Sequence, residues 1–271
     1  MQLPTGRTML FPFISIWWEP MSQLRRSLAA SITLALLATT LSISVVAAAP
    51  TPLMPDLGMA RLRGFSVDRT STPGKTKLRF TTVIINIGDG PFQAFGHGPK
   101  TNGELLVDGM IKDSAGNWSS YATPYHMIFA GDAHQHWHVK DIERYVLRNT
   151  AGQNKGTGEK HGFCFYDNEE FDLSLPGAPS SPRYTGCGRN QDTNVTVGLS
   201  VGWGDHYPAK IPDQYIDITG LPSGNYTLTA TADPGRGFME RCEGNNITTA
   251  TLHITSTSVT VVTAGTPSKR C

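Results

Sequence analysis

Short runs of alternating apolar and polar residues, separated by glycine and proline, constrain the fold of this chain more than any other feature. The 271 residues include 28 Gly and 18 Pro. A period of two is typical of half-buried β-strands, because the side chains of a strand alternate between two faces. Helical periodicity is nearly absent. The sequence therefore predicts an all-β fold, a single antiparallel β-sandwich-like domain with long loops and few or no helices apart from a signal segment.

Six runs are the clearest predicted strands. They are residues 78–87, 137–147, 193–201, 215–219, 226–232 and 247–254. Turn sequences rich in Gly, Pro and Asp follow several of them, for example at 88–91 and 233–235. Residues 167–193 are rich in Pro, Gly, Ser and Asn, and this composition predicts a long loop.

The first 49 residues have the layout of a secretory signal. Arg25 and Arg26 precede an apolar stretch at 28–46, and three alanines follow at 47–49. A start at Met21 would give a signal of ordinary length. A retained membrane anchor is the alternative, because the stretch approaches the ~18 apolar residues of a possible span. The alanines favour cleavage, which predicts a secreted, extracellular protein without membrane contact.

The remainder is long enough for one domain. We assign residues 50–256 to this domain and residues 257–271 to a C-terminal tail tied by Cys271. The formal net charge is +1, and no run of Lys or Arg is long enough to follow a phosphate backbone. This argues against a nucleic acid as partner.

All four cysteines lie in the part predicted to be exported, where an even count favours disulfides over reactive thiols. Three pairings are possible. We predict Cys164 with Cys187 and Cys242 with Cys271, because each pair closes a local loop. One or two free buried thiols are the alternative.

The run HQHWH predicts a metal site. In an extended segment His134, His136 and His138 lie on one face. Imidazole suits copper, zinc, iron and nickel, and a three-histidine set leaves positions open for water, oxygen or substrate. The histidines alone do not separate copper from zinc. A zinc hydrolase is one alternative, although the chain contains no HExxH run.

An ordered series of motifs resembles the catalytic domain of the lysyl oxidase family over about residues 78–254. The family's HxHxH run followed by Asp corresponds to HQHWHVKD, its K-x-x-F-C to KHGFC, and its D-x-Y to the DHY in GWGDHYPAKIPDQYIDIT. LRFTTVIINIGDGPF also resembles the family's strand before the copper site. The chain departs in its cysteines, since Trp203 and Asp213 stand where animal members carry some of theirs, and Tyr215 replaces a Trp. The loop between Lys160 and Tyr207 is longer than in the family and differs in composition, so the resemblance does not identify the preferred substrate.

The resemblance implies a copper(II)-dependent amine oxidase in which the three histidines bind the metal. Lys160 and Tyr207 would form a lysine tyrosylquinone, and the register of the K-x-x-F-C motif favours Lys160 over Lys155. Asp205 is the candidate base, ahead of Asp141, and either carboxylate could instead be an exposed, solvated charge. A primary amine, either a peptidyl lysine or a small amine, would react with O2 to give an aldehyde, ammonia and hydrogen peroxide. The alternative is a secreted copper-binding β domain without oxidase activity, serving copper storage, adhesion or wall structure.

Overall fold

A computed structural model describes residues 48–130, 135–158, 160 and 162–271, with the backbone alone at residues 100 and 101. Within these ranges the regular structure is entirely β, which confirms the all-β prediction. No helix in the described part of the chain is long and apolar enough to cross a membrane. The strands are β1 Pro52–Leu53, β2 Leu57–Met59, β3 Arg63–Asp68, β4 Lys77–Asn86, β5 Phe92–Thr101, β6 Glu104–Asp113, β7 Trp118–Ala130, β8 His136–Lys140, β9 Glu143–Asn149, β10 Asn154–Thr157, β11 Gly162–Phe163, β12 Glu169–Glu170, β13 Val195–Leu199, β14 Trp203–Tyr207, β15 Tyr215–Asp217, β16 Gly224–Ala232, β17 Ile247–Ile254 and β18 Val259–Ala264.

The strands form three antiparallel sheets. The first has the order β11-β8-β7-β6-β5-β13, with β1 paired to β6. The second is β10-β9-β16-β17-β18, and the third is β12-β14-β4-β15, with β2 and β3 also paired to β4. One hydrophobic core takes side chains from all three sheets, including Phe92, Leu228 and Phe80. The sheets therefore stabilise one another through a shared core.

Strand β4 is buried on both faces, which explains the apolar run at residues 83–85 near its end. Phe80 and Ile84 pack into the shared core. Val83 and Ile85 point the other way, into a smaller cluster covered by Phe171. Because β14 pairs with β4, this central strand also holds the D-x-Y motif in place.

The predicted strand at 137–147 is wrong as a single element. The chain forms β8 and β9 there, separated at Asp141, whose φ of 58° is left-handed. Asp is among the few non-glycine residues that adopt this conformation readily, in turns. The turn carries the chain from the first sheet into the second, and so separates the histidine run from β9.

The other five predicted strands correspond to β4, β13, β15, β16 and β17, with ends that differ by a few residues. Strands β5, β6 and β7 were not predicted. Strand β18 lies in the segment that we assigned to a tail, and it pairs with β17.

Both predicted disulfides are confirmed. Cys164 bonds to Cys187 with a Cα–Cα distance of 5.7 Å, and Cys242 bonds to Cys271 at 6.4 Å. Cys164 and Cys187 are both buried in the shared core. Their bond ties down most of the predicted long loop, whose described structure includes only the short strand β12.

Replacing both Cys164 and Cys187 by Ala is expected to lower the free energy of unfolding by about 3 kcal/mol, because the bond closes a loop of moderate length. Urea denaturation of the variant and of the wild type, without reductant, measures the difference. The Cys242→Ala, Cys271→Ala variant is the matched control, since it removes a loop of similar length and should lose a similar amount. A Cys164 and Cys187 variant as stable as the wild type would contradict the prediction.

Candidate metal and cofactor site

Two of the three predicted metal ligands lie side by side on β8. The ring centroids of His136 and His138 are 4.8 Å apart, as expected for alternate residues on one face of a strand. Trp137 points the other way into the core, and its Nε1 donates a hydrogen bond to the Arg189 carbonyl at 2.9 Å. His134 lies outside the described residues.

The donor chemistry of this pair fits a copper or zinc ion, since adjacent imidazoles are typical ligands of both metals. Among the described residues no group of three or more His, Cys, Asp or Glu side chains forms a metal site. His134, the third ligand predicted from the sequence, is not among these residues. The predicted ligand set stays a prediction, supported by the geometry of the two histidines on β8.

Lys160 and Tyr207 meet in the interior. Tyr207 ends β14, where it pairs with Thr82 of β4, and Lys160 lies just before β11. The Lys160 Nζ is 4.0 Å from the centroid of the Tyr207 ring, and each residue is only 3% exposed. Lys155, the competing lysine, is exposed on β10. Of the two lysines, Lys160 is thus the one in contact with the tyrosine.

The backbone of the disulfide segment holds the phenol of Tyr207. The Cys164 N–H donates a hydrogen bond to the Tyr207 Oη at 3.1 Å. Phe163 packs on the same ring, with centroids 4.0 Å apart. Burial, together with the negative charge of Asp205, raises the pKa of Tyr207 well above its usual value. The structure therefore keeps this phenol protonated at neutral pH.

Asp205 lies on the same face of β14 as Tyr207, two residues earlier, and is fully buried. The interpretation of Asp205 as an exposed, solvated charge is therefore wrong. Its carboxylate accepts hydrogen bonds from the Phe165 N–H at 3.2 Å and from the Asn168 Nδ2 at 3.0 Å. Burial raises the pKa of Asp205 to about 7 despite these donors and the positive charge of Lys160. A carboxylate with such a pKa can exchange a proton near neutral pH.

A cavity of about 440 Å³ links the two parts of the site. Its lining includes His136 from the metal-binding run and Tyr207 from the cofactor pair, together with Tyr166, Asn168, His206 and Lys210. Asp141 is exposed and lines a different cavity, with His126 and Glu104. His136 and Tyr207 thus share this cavity, Asp205 lies behind its lining and is hydrogen-bonded to Asn168, and Asp141 lies outside it.

Sequence reasoning missed Asn168 and Glu143. Asn168 holds Asp205 and also accepts a hydrogen bond from the His206 N–H through its Oδ1. Glu143 is a charged residue buried at the start of β9. Nothing in the sequence marks Asn168, and Glu143 is not marked either, because it lies beside the charged residues Asp141 and Arg144.

Comparisons with known proteins point to one family. Lysyl oxidase homolog 1 of Homo sapiens is 32% identical over 134 residues, which are 49% of this chain and 21% of that protein. Lysyl oxidase homolog 2 of Xenopus tropicalis is 28% identical over 186 residues, 67% of this chain and 19% of that protein. Protein-lysine 6-oxidase of Gallus gallus is 33% identical over 124 residues, 45% of this chain and 27% of that protein. The matches span only about a fifth to a quarter of the relatives' length.

The sequence model of the family described as lysyl oxidase matches residues 116–264. This range is more than half of the chain and includes the histidine run, Lys160, Asp205 and Tyr207. By this match the chain belongs to the lysyl oxidase family.

Proposed function

We propose that the protein is a secreted copper-dependent amine oxidase, which converts primary amines to aldehydes through a lysine tyrosylquinone formed from Lys160 and Tyr207. One observation carries the proposal. The Lys160 Nζ lies 4.0 Å from the centroid of the Tyr207 ring, in the interior, and Tyr207 lines a cavity shared with His136. Membership of the lysyl oxidase family supports the same chemistry.

His136 and His138, together with His134, would hold the copper ion. Copper at these residues would supply, with dioxygen, the oxidation of the Tyr207 ring to a quinone. Lys160 then adds its amine nitrogen to a ring carbon; the nitrogen and that carbon each lose a proton to the quinone oxygens, which gives an aminocatechol. A second O2 would oxidise this ring to the lysine tyrosylquinone and would itself be reduced to hydrogen peroxide. The addition requires the neutral amine, and burial of Lys160 favours the neutral form.

In turnover the chain's own groups bind the amine and move its protons. The cavity beside Tyr207 admits the amine. Asp205 lies behind the cavity lining, where Asn168 of that lining donates a hydrogen bond to it, and it accepts the proton from the carbon that carries the nitrogen. The balanced reaction takes one amine, one O2 and one water to one aldehyde, one ammonia and one hydrogen peroxide. Whether the amine is a peptidyl lysine or a small molecule is left open by the proposal.

The location and the domain boundaries are part of the proposal. Two disulfides support an oxidising compartment outside the cytosol. We propose that residues 1–49 form the secretory signal segment and that residues 50–256 form the copper domain. The contact of β18 with β17 supports treating residues 257–271 as a structural extension of that domain.

Protein loaded with copper and exposed to air is expected to develop a visible quinone absorbance that phenylhydrazine shifts, with close to one quinone for each chain. Spectra before and after copper addition measure it. Zinc-loaded protein is the matched control and should stay colourless, because zinc has no redox chemistry. Copper bound in full without any quinone would favour the copper-binding domain instead.

A further inference from the structure

Glu143 is a buried carboxylate that the proposed mechanism does not use. It begins β9 and is 5% exposed. Neither of its oxygens has a hydrogen-bond partner of ordinary geometry among the described residues. A buried carboxylate without such partners is costly, so it calls for a physical explanation.

Lys160 lies between two backbone contacts that flank the chain around Glu143. Strands β9 and β10 are antiparallel, with Thr157 opposite Val146, and the Gly158 N–H donates to the Tyr145 carbonyl at 3.0 Å. Two residues beyond Gly158 comes Lys160, and two residues before Tyr145 comes Glu143. After Lys160, Gly162 of β11 lies opposite Lys140 of β8. The two contacts together bring the backbone of Lys160 alongside the segment between Lys140 and Tyr145, which contains Glu143.

The charges around Glu143 agree with this placement. Burial raises the pKa of Glu143 well above its ordinary range, and the positive charge of Lys160 is the largest influence in the other direction. The carboxylates of Asp141 and Asp213 raise it further. Glu143 in turn contributes to raising the pKa of Tyr145 and of Tyr207.

Lys160 therefore lies close to three other titratable groups of the site, which are Tyr207, Glu143 and Asp205. It is in contact with the ring of Tyr207, and its charge acts on both Glu143 and Asp205. Asp205 is held by two hydrogen bonds, whereas Glu143 has none of ordinary geometry in the described structure. The backbone of Gly162 also lowers the pKa of Glu143, but less than Lys160 does, so Lys160 is the main positive partner of this carboxylate.

We infer that Glu143 is a positioning residue that sets the protonation state of Lys160, and thereby the pH at which the Lys160 amine becomes nucleophilic. The inference rests on the proposed function for its meaning in cofactor assembly. When Glu143 is ionised, its charge stabilises the ammonium form of Lys160 and delays bond formation. When Glu143 is protonated, that restraint is removed and burial favours the neutral amine.

The test is a titration of Lys160 in the copper-free protein, followed by NMR of lysines labelled at Cε. The resonance of Lys160 is assigned as the one that is lost in the Lys160→Arg variant. Glu143→Gln should lower the midpoint of Lys160 by about one unit or more, because it removes a nearby negative charge. Glu143→Asp keeps the charge and should shift the midpoint less. Glu170→Gln, at an exposed position on β12, should leave it unchanged.

An unchanged Lys160 midpoint in Glu143→Gln would overturn the inference. If that variant fails to fold, the reverse measurement decides. Lys160→Met should raise the pKa of Glu143, followed at a labelled side-chain carboxyl, and an unmoved Glu143 would equally overturn the inference.

A second readout separates this inference from the proposed function. On addition of copper in air, the rate of quinone formation should reach half its maximum at lower pH in Glu143→Gln than in the wild type. Wild-type protein that forms no quinone would defeat the proposed function, while the copper-free titration would still decide the role of Glu143.

Discussion

Tyr207→Phe is expected to abolish both the quinone absorbance of copper-loaded protein and the release of peroxide from amines. The quinone forms from the phenol of Tyr207. A phenylalanine ring lacks the phenol oxygen, so the cofactor cannot form in the variant. The loss should be complete within the sensitivity of a coupled peroxidase assay. Copper content, measured on the same sample, should remain close to that of the wild type, because the predicted ligands are histidines on another strand.

Tyr226→Phe is the matched control. Tyr226 is also a buried tyrosine, but it lies on β16, where its hydroxyl donates to the Pro222 carbonyl at 2.7 Å. Its removal should leave the quinone and the peroxide release unchanged. The Tyr207 variant leaves the Cys164 N–H without its acceptor, which costs about 1–3 kcal/mol of stability. Peroxide release that survives in a folded Tyr207→Phe protein would refute the proposed cofactor.

The parts of the fold that could be predicted are those whose sequence pattern matches their burial. Strand β4 ends in an apolar run, residues 83–85, that is buried on both faces, and from Ala250 onward β17 alternates both in sequence and in burial. Strand β5 could not be predicted in the same way. Its sequence, FQAFGHGPKT, contains two glycines and a proline, which favour turns. At Gly96 a Cβ would meet the Met127 sulfur at 2.5 Å, so a larger residue there would require the Met127 side chain to move.

The break at Asp141 shows a second limit. On either side of Asp141 apolar residues alternate with polar ones, so the local pattern favours one long strand. The φ of 58° at Asp141 instead lets β8 join β7 in one sheet while β9 joins β16 in another. Tertiary packing therefore determines that the strand breaks at Asp141, and it overrides the local β-strand propensity.

Within the site, sequence spacing predicted what depends on neighbours along the chain. The period of two placed His136 and His138 together, and motif order identified Lys160 and Tyr207. The burial of Asp205 and Glu143 depends on pairings between distant segments, such as β14 with β4. No local pattern encodes such contacts, and for this reason Asp205 allowed an exposed interpretation from the sequence.

The loop disulfide and the cofactor pair form one structural unit. Cys164 is bonded to Cys187, its N–H holds the Tyr207 phenol, and Lys160 lies four residues before it in the chain. The same segment thus positions both residues of the proposed quinone. We therefore infer that this disulfide holds the site in place as well as the loop.

Asp205→Asn is expected to lower kcat/KM for amines by about 10²–10⁴-fold, the usual contribution of a general base. The asparagine side chain has nearly the same size but cannot accept the proton. Rates are to be normalised to quinone content, measured by phenylhydrazine titration, so that a defect in cofactor formation is not counted as a defect in turnover. Asp217→Asn, on β15, where the carboxylate pairs with Lys75, is the matched control and should keep the wild-type rate.

The pH dependence gives the sharper measurement, because the base acts only when ionised. With the pKa of Asp205 raised to about 7, wild-type kcat/KM should rise with pH up to that value and then level off. This rise should be absent in Asp205→Asn. The same group links folding to pH: its folded pKa lies above the ordinary 3.8, so its contribution to stability is complete below pH 3.8 and is lost as pH rises through about 7. A wild-type profile that is retained in the variant would assign the proton transfer to another residue.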